Sequence, residues 1–359
     1  MPTYHPFDIA ALVSVRGFLP SVSPKSEPLL QRIPRTLPML HVLGRRSVAA
    51  ARCCLARYAT AAQPPSLLEQ CSGLPVIAGQ VEGAGRGLFA LMDLPAAKTL
   101  ATFAPVAAHP PHNREDVCHC CLRSLPARHV THAATGKRLC SAACEQDAER
   151  RYLSAQASIA DKLADFERRC AERDVIHPML AARLALSVVQ HAEHPAALEA
   201  LCYARGAVEA PPPEWVAEHT LLARAFARAG LANTDFFTLS WYVSVLARLH
   251  LNAFRVDVMR TDVTDIASLA RFAAEGNGTA VYALPSLVNH DCDPSCDATW
   301  PSGDARMALS TRRAMAAGEE LRITYIDSSE PVAKRQRDLR FAYGFVCGCA
   351  ACVEEAADS

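Results

Sequence analysis

The chain has 359 residues, half of them apolar and 21% charged, with 37 Lys and Arg against 37 Asp and Glu. That length supports a sizeable core in one large or two modest domains, and net neutrality argues against a protein that binds nucleic acid by charge alone. No run reaches the ~18 uninterrupted apolar residues that mark a membrane span; residues 236–254 come nearest, but Arg248, His250 and Asn252 interrupt them, and they read as a buried helix running into a strand.

Residues 1–62 stand apart, with seven Arg and one Lys against two acids, Asp8 and Glu27. Arg-rich, acid-poor composition and a basic amphipathic pattern over residues 45–62 fit either a mitochondrial presequence or a disordered basic tail. A secretory signal fits less well, because Arg and Pro break the apolar runs. Gln63-Pro64-Pro65 marks a linker. From Leu74 the pattern turns strand-like, at residues 75–78, 87–90 and 98–106. Residues 110–116 are polar and Pro-bearing, and open an inserted module at 118–144. Helical spacing follows over 143–173, 178–191, 196–204, 214–229 and 234–250, with breaks such as Pro211-Pro212-Pro213. Strand patterns return at 251–256, 278–284, 305–312 and 320–325, and no internal repeat is visible. The outline is a β-rich domain divided by a cysteine module and a helical insert.

Most of the 15 cysteines fall in two clusters with metal-ligand spacing, which favours thiolate ligands over disulfides. Cys118-x-x-Cys121 and Cys140-x-x-x-Cys144 suit a structural zinc site with four thiolates; His119 and Cys120, inside the first pair, are alternative ligands. Cys347-x-Cys349-x-x-Cys352 supplies three thiolates, one short of a closed tetrahedral site. As surface thiols on a frayed tail these three would be an oxidation hazard. Cys53, Cys54, Cys71, Cys170, Cys202 and Cys296 lack partner spacing, and Cys170 and Cys202 read as small core residues. His177, His191 and His194 read as helix-surface or core groups rather than ligands.

Five further motifs carry chemistry. GAGRGLFA at 83–90 is a glycine turn between two strands, where the backbone can turn sharply or approach a ligand closely. LNAF at 251–254 contains Asn252, by itself a strand-start or turn residue. NHDCDPSC at 289–296 contains Asn289, whose amide offers donors and an acceptor, and His290, which alone reads as a structural histidine. GEELRITYID at 318–327 places Tyr325 on a strand, ordinarily a core position. YGFVCGCAAC at 343–352 joins two aromatic residues to the terminal cysteines.

In this order the motifs, spanning residues 74–352, resemble the SET domain of protein lysine methyltransferases. Within that group they are similar to the fungal-type SET-and-MYND class, in which a zinc finger interrupts a split SET domain. The resemblance implies an α+β fold: a β-rich SET fold with a knot-like C-terminal half, split by a small zinc finger and a helical insertion. The corresponding segments are a presequence or tail at 1–65, the SET N-terminal part at 74–110 and the finger at 111–150. They continue with the helical insertion at 151–250, the SET C-terminal part at 251–346 and a cysteine tail at 347–359. It further implies S-adenosylmethionine as cofactor, contacted by Ala84, Gly85, Arg86, Asn252, Asn289, His290, Tyr325, Tyr343 and Phe345. Tyr325 takes the catalytic, methyl-orienting role at the transfer pore, while Tyr343 and Phe345 close the channel. Cys292 supplies the fourth ligand to Cys347, Cys349 and Cys352, making a second zinc site. LCSAACEQ at 139–146 is similar to the core of a MYND finger, yet the second C-x-x-C pair and an H-x-x-x-C are missing. One zinc and a structural role follow. Asp291 and Ser295 depart from the common family form N-H-S-C-x-P-N. The implied activity is methyl transfer to a lysine of a protein, histone or non-histone; the alternative is a non-catalytic SET scaffold that binds proteins. A protein substrate, no direct nucleic-acid contact, no membrane span and a monomer are expected, in the mitochondrion or else the nucleus or cytoplasm.

Overall fold

The computed structural model describes residues 69–192, 196–258 and 276–358. The basic segment at 1–65, Cys53, Cys54 and His194 lie outside these residues. In chain order the described strands are β1 (Val76–Val81), β2 (Gly85–Ala90), β3 (Thr99–Phe103), β4 (Ala107–His109), β5 (Val130–Thr131) and β6 (Arg138–Leu139). They continue as β7 (Ala253–Val256), β8 (Gly278–Val281), β9 (Asn289–His290), β10 (Cys296–Thr299), β11 (Met307–Thr311) and β12 (Glu320–Ile323). The sheets are ordered β1-β2-β12-β9, β10-β11-β3, β4-β8-β7 and β5-β6. No helix among the described residues is long and apolar enough to cross a membrane.

Two compact units emerge. Of the described residues, the first takes those up to Leu100, Val288–Asp297 and those from Thr311; the second takes those within Ala101–Leu287 and Ala298–Ser310.

In the first unit, β1 and β2 form an antiparallel hairpin in register from Val76↔Ala90 to Val81↔Gly85. Gly83 and Gly85 turn the chain at φ 75° and 81°, a region that side chains with a Cβ avoid. The far end of the hairpin is apolar on both faces: Val76, Ile77, Ala78, Leu88, Phe89 and Ala90 are all buried. β12 joins β2 through Leu321↔Leu88, and burying each of these leucines stabilises the fold by roughly 1.5–3 kcal/mol. β9 runs parallel to β12, with Arg322↔Asn289 and Ile323↔His290. A parallel pair needs a long connection rather than a tight turn, and this pairing sets Asn289 and His290 beside the strand that leads to Tyr325. The helix Val332–Tyr343 ends at Gly344, whose φ of 76° stops it and starts the cysteine-bearing tail. The helix Ala350–Ala357 follows.

In the second unit, β8 is the central strand, antiparallel to both β4 and β7. Gly278 sits at φ 146°, and a Cβ there would lie 2.4 Å from the His109 carbonyl oxygen. Glycine is what allows that approach. Leu122, Val256, Ala280, Tyr282 and Met307 pack into one core, and the Tyr282 hydroxyl donates to Ala305 O at 2.6 Å. Among the helices, His177–His191 is buried from Met179 to Leu186 and again at Val188 and Val189, so it is the centre of the helical insert.

Several expectations need correction. The helix expected at 143–173 is interrupted by a π-helical turn at Glu149–Leu153 and broken before Ala160, where Ile159 turns fully inward. Residues 196–204 hold only the short helix Ala196–Glu199. The helix expected at 234–250 begins at Leu239, where the Thr238 hydroxyl caps it, and runs through Asn252. Leu251 and Asn252 are therefore helical, and the strand starts at Ala253. β12 ends at Ile323, so Tyr325 lies past the strand; its backbone N–H leaves the ladder and donates to His290 Nδ1 at 3.1 Å. Cys202 is exposed rather than core, while Cys170 is fully buried.

Candidate active site and cysteine clusters

The predicted cofactor residues of the first unit converge. At the hairpin turn Ala84 and Gly85 are exposed, and the carbonyl of Arg86 accepts from Asn289 Nδ2 at 3.1 Å. The other hydrogen of Nδ2 goes to Glu320 Oε1 at 2.8 Å. Both partners are oxygens that can only accept. The opposite amide orientation would place three oxygens together, so chemistry fixes which end of Asn289 points where. The amide oxygen Oδ1 is the part of the group left for a ligand.

His290 is buried and its tautomer follows from its neighbours. Nδ1 accepts the Tyr325 backbone N–H, so a neutral ring carries its proton on Nε2, which faces Cys292 Sγ at 3.3 Å. Burial holds this imidazole neutral, pushing its pKa down to about 4. The Tyr325 hydroxyl donates to Val288 O at 2.7 Å, so toward any further group this oxygen acts as an acceptor. Its ring lies 4.8 Å from Tyr343 and 5.4 Å from His290, and Phe345 lies 6.0 Å from His290. The result is an aromatic wall carrying one phenolic acceptor. Burial raises the Tyr343 hydroxyl above its ordinary pKa and keeps it protonated.

Asn252 is placed differently. It belongs to the second unit, and both hydrogens of its amide are spent on Arg248 O at 2.7 Å and Cys202 O at 2.8 Å. That makes it a helix-end brace.

The terminal cysteine cluster lies in the first unit. Cys292, Cys347, Cys349 and Cys352 are all buried, and their sulfurs lie within 4.8 Å of one another. Cys292 and Cys352 are 3.5 Å apart, too far for a disulfide and close to the ~3.8 Å edge of a tetrahedron with ~2.3 Å metal–sulfur bonds. Arg335 is 4% exposed and directs Nη2 at Cys352 Sγ, 3.7 Å away, while also pairing with Glu355 at 2.9 Å. A cluster of thiolates accumulates negative charge, and this guanidinium offsets it. Burial acts to raise the Cys352 thiol, but the hydrogen bonds from Arg335 and the neighbouring thiols bring it below its ordinary value.

The second cluster lies within the second unit. Cys118, Cys121, Cys140 and Cys144 also hold their sulfurs within 4.8 Å of one another, with Cys118–Cys144 and Cys121–Cys140 both at 3.6 Å. The β5–β6 hairpin leads to Cys140, and the helix Ala142–Ala148, capped by Ser141, presents Cys144. The two alternative ligands lie outside this set of four. Cys120 contacts Asp147 at 3.8 Å as well as the Cys144 thiol, and His119 accepts from Arg183 Nη2 at 2.8 Å on Nδ1. Both donor sets suit a tetrahedral ion of the zinc type.

Three residues were missed in the sequence. Arg335 reads as a solvent residue of a charged helix; only the cysteine cluster beside it gives it a reason to be buried. Glu320 and Arg322 share one face of β12 while Leu321 and Ile323 are buried, an alternation that was readable. Their partners were not, because Asn289 and Asp291 lie some 30 residues away and arrive only through the β9–β12 pairing.

The SET domain family model matches residues 85–326. The chain is 34% identical over 290 residues to a histone-lysine N-methyltransferase, ATXR4, of Arabidopsis thaliana, covering 77% of this chain and 86% of that protein. It is 29% identical over 148 residues to a SET and MYND domain-containing protein of Dictyostelium discoideum, DDB_G0292454, covering 40% and 41%. Among solved structures, the SET domain of LSMT bound to lysine and AdoHcy aligns with a TM-score of 0.34 at 13% identity, over 84% of this chain and 57% of that one. With a family match across most of its length and a relative covered nearly end to end, the chain belongs to the SET domain family.

Proposed function

We propose that the protein is a protein-lysine N-methyltransferase that moves a methyl group from S-adenosylmethionine to a lysine side chain. The observation that carries this reading is the convergence of Asn289, His290 and Tyr325 with an aromatic wall of Tyr343 and Phe345 in a SET family chain. The lysine nitrogen lone pair forms the new C–N bond as the C–S bond breaks. Its electron pair stays on sulfur, giving S-adenosylhomocysteine, and the methylated ammonium then releases a proton. Such a displacement gains most from alignment and from exclusion of water. The wall supplies exclusion. The Tyr325 oxygen, with its proton committed to Val288, offers lone pairs to the partly positive methyl group or to the amine N–H. Asn289 Oδ1 takes a donor group of the cofactor. Lysine must arrive neutral although its free pKa is ~10.4, and an apolar channel favours that form.

Zinc is the ion we assign to both cysteine clusters, with the Cys118 cluster bracing an inserted finger of the SET-and-MYND kind. The name of the Arabidopsis relative makes histone lysine the first substrate to test, and with it the nucleus. The Arg-rich residues 1–62 support a mitochondrial substrate instead. Incubation of the purified chain with methyl-labelled cofactor and, separately, histone octamers and mitochondrial extract separates these. Label on histone lysine is expected. Label confined to mitochondrial proteins would replace the histone assignment, and label on neither would overturn the transfer reading.

A further inference from the structure

Asn289 does not hold its amide in place alone. Glu320 receives one of its N–H groups, and the second carboxylate oxygen of Glu320 is gripped by Arg322 through Nη2 at 2.7 Å and Nε at 3.0 Å. Arg322 in turn reaches Asp291 Oδ2 at 3.2 Å, and its backbone N–H donates to Ser295 Oγ at 2.9 Å. Asp291 and Ser295 are the two residues that depart from the common family form, and both have their partner in this one network. The network is enclosed: the side chains of Glu320 and Asp291 are 11% and 19% exposed, and Ser295 is 2% exposed. Gly87 completes it from β2. A Cβ there would lie 2.8 Å from Glu320 Oε1 and 3.1 Å from Asn289 Nδ2, so the contact exists because the position has no side chain.

From this arrangement we infer that Glu320 is a positioning residue for the cofactor, held by the Arg322–Asp291 pair and fixing Asn289 so that Oδ1 is presented as a pure acceptor. The inference rests on the methyltransferase reading, and it adds a chemical consequence. An amide whose two hydrogens are committed cannot donate to a carboxylate; it selects a cationic N–H donor. At the amino-acid end of the cofactor that donor is the α-ammonium. Without Glu320, Nδ2 gains freedom to turn outward, and the site loses its preference for the amine.

The test is calorimetric titration of the full chain with S-adenosylhomocysteine and with its deaminated analogue, which lacks only the α-amine. A hydrogen bond to a charged group corresponds to a preference of about tenfold or more for the amine-bearing ligand in the unmodified chain. Glu320→Leu is expected to cut that preference to about threefold or less, by weakening S-adenosylhomocysteine while leaving the analogue unchanged. Glu320→Gln keeps an acceptor oxygen in place and is expected to retain most of the preference. Arg322→Gln, at a half-exposed position, gives an intermediate loss and serves if Glu320→Leu does not fold. Equal weakening of both ligands would reduce Glu320 to a structural role and overturn the proposal, as would an intact preference in Glu320→Leu or, failing that, Arg322→Gln. If the unmodified chain binds neither ligand, the cofactor reading falls and takes this inference with it.

Discussion

His109 and His119 show how far a residue's chemistry can depart from its type. Both are buried in the second unit, 4.9 Å apart at their ring centres, against the guanidinium of Arg183. His109 Nδ1 donates to Pro110 O at 2.7 Å, a contact either protonation state makes, whereas His119 accepts from Arg183, which requires a neutral ring. Burial first, and the nearby Arg183 second, hold both imidazoles well below their ordinary pKa. The unfolded rings titrate near 6.5. Below that value, and down to the lowered folded pKa, the unfolded chain binds more protons. Stability is therefore complete above about pH 6.5 and falls on acidification, by at most about 1.4 kcal/mol per pH unit for each ring. Urea unfolding at pH 7.5 and 5.5 should show this loss, and His109→Phe should make it smaller. Metal loss in acid affects both proteins alike, so an identical pH dependence in the variant would contradict the assignment. Residue identities at this scale were legible in the sequence, but protonation states were not, because they depend on partners more than 60 positions away.

Elements carry the cysteine chemistry. The C-x-C-x-x-C tail announced a metal site through spacing alone, and Cys292 came from resemblance. The buried arginine on the helix Val332–Tyr343 came from neither, since a lone Arg in a charged helix reads as solvent-facing. Arg335 connects Cys352, Glu355 and the Glu330 carbonyl, and so ties both terminal helices to the cluster. Groups just outside a metal's own ligands typically contribute 10–100-fold to its affinity. Arg335→Met should therefore release one of two bound zinc ions at least about tenfold faster to a chromogenic chelator, with the other ion unaffected. Unchanged release of both would show that the arginine serves packing only. The same scale explains the misplaced boundaries. Strand and helix patterns were readable at β1, β2 and the helix His177–His191, where burial is continuous. They failed at Asn252 and Tyr325, where a side chain captures the backbone group that would have extended or ended the element.

At the scale of the whole molecule, the order of motifs along the chain was the strongest evidence in the sequence, and the SET family match covers residues 85–326 of that 74–352 stretch. What the order could not convey was the pairing of β9 with β12. That single parallel contact sets Asn289 against Glu320 and His290 against Tyr325, and so turns separate motifs into one site. Asn252, within the second unit, commits its amide hydrogens to Arg248 O and Cys202 O. The account's central claim is that this site transfers a methyl group, with the Tyr325 oxygen as an acceptor at the reacting carbon. Mass spectrometry of substrate lysines after incubation with the unmodified chain and with Tyr325→Phe tests it most directly, with S-adenosylhomocysteine affinity measured on the same preparations. The account predicts methylated lysine from the unmodified chain and a rate lower by about 10²-fold in the variant, with affinities within threefold of each other. An unmodified chain that binds S-adenosylhomocysteine yet methylates no lysine, or a Tyr325→Phe variant as fast as its parent, would contradict it.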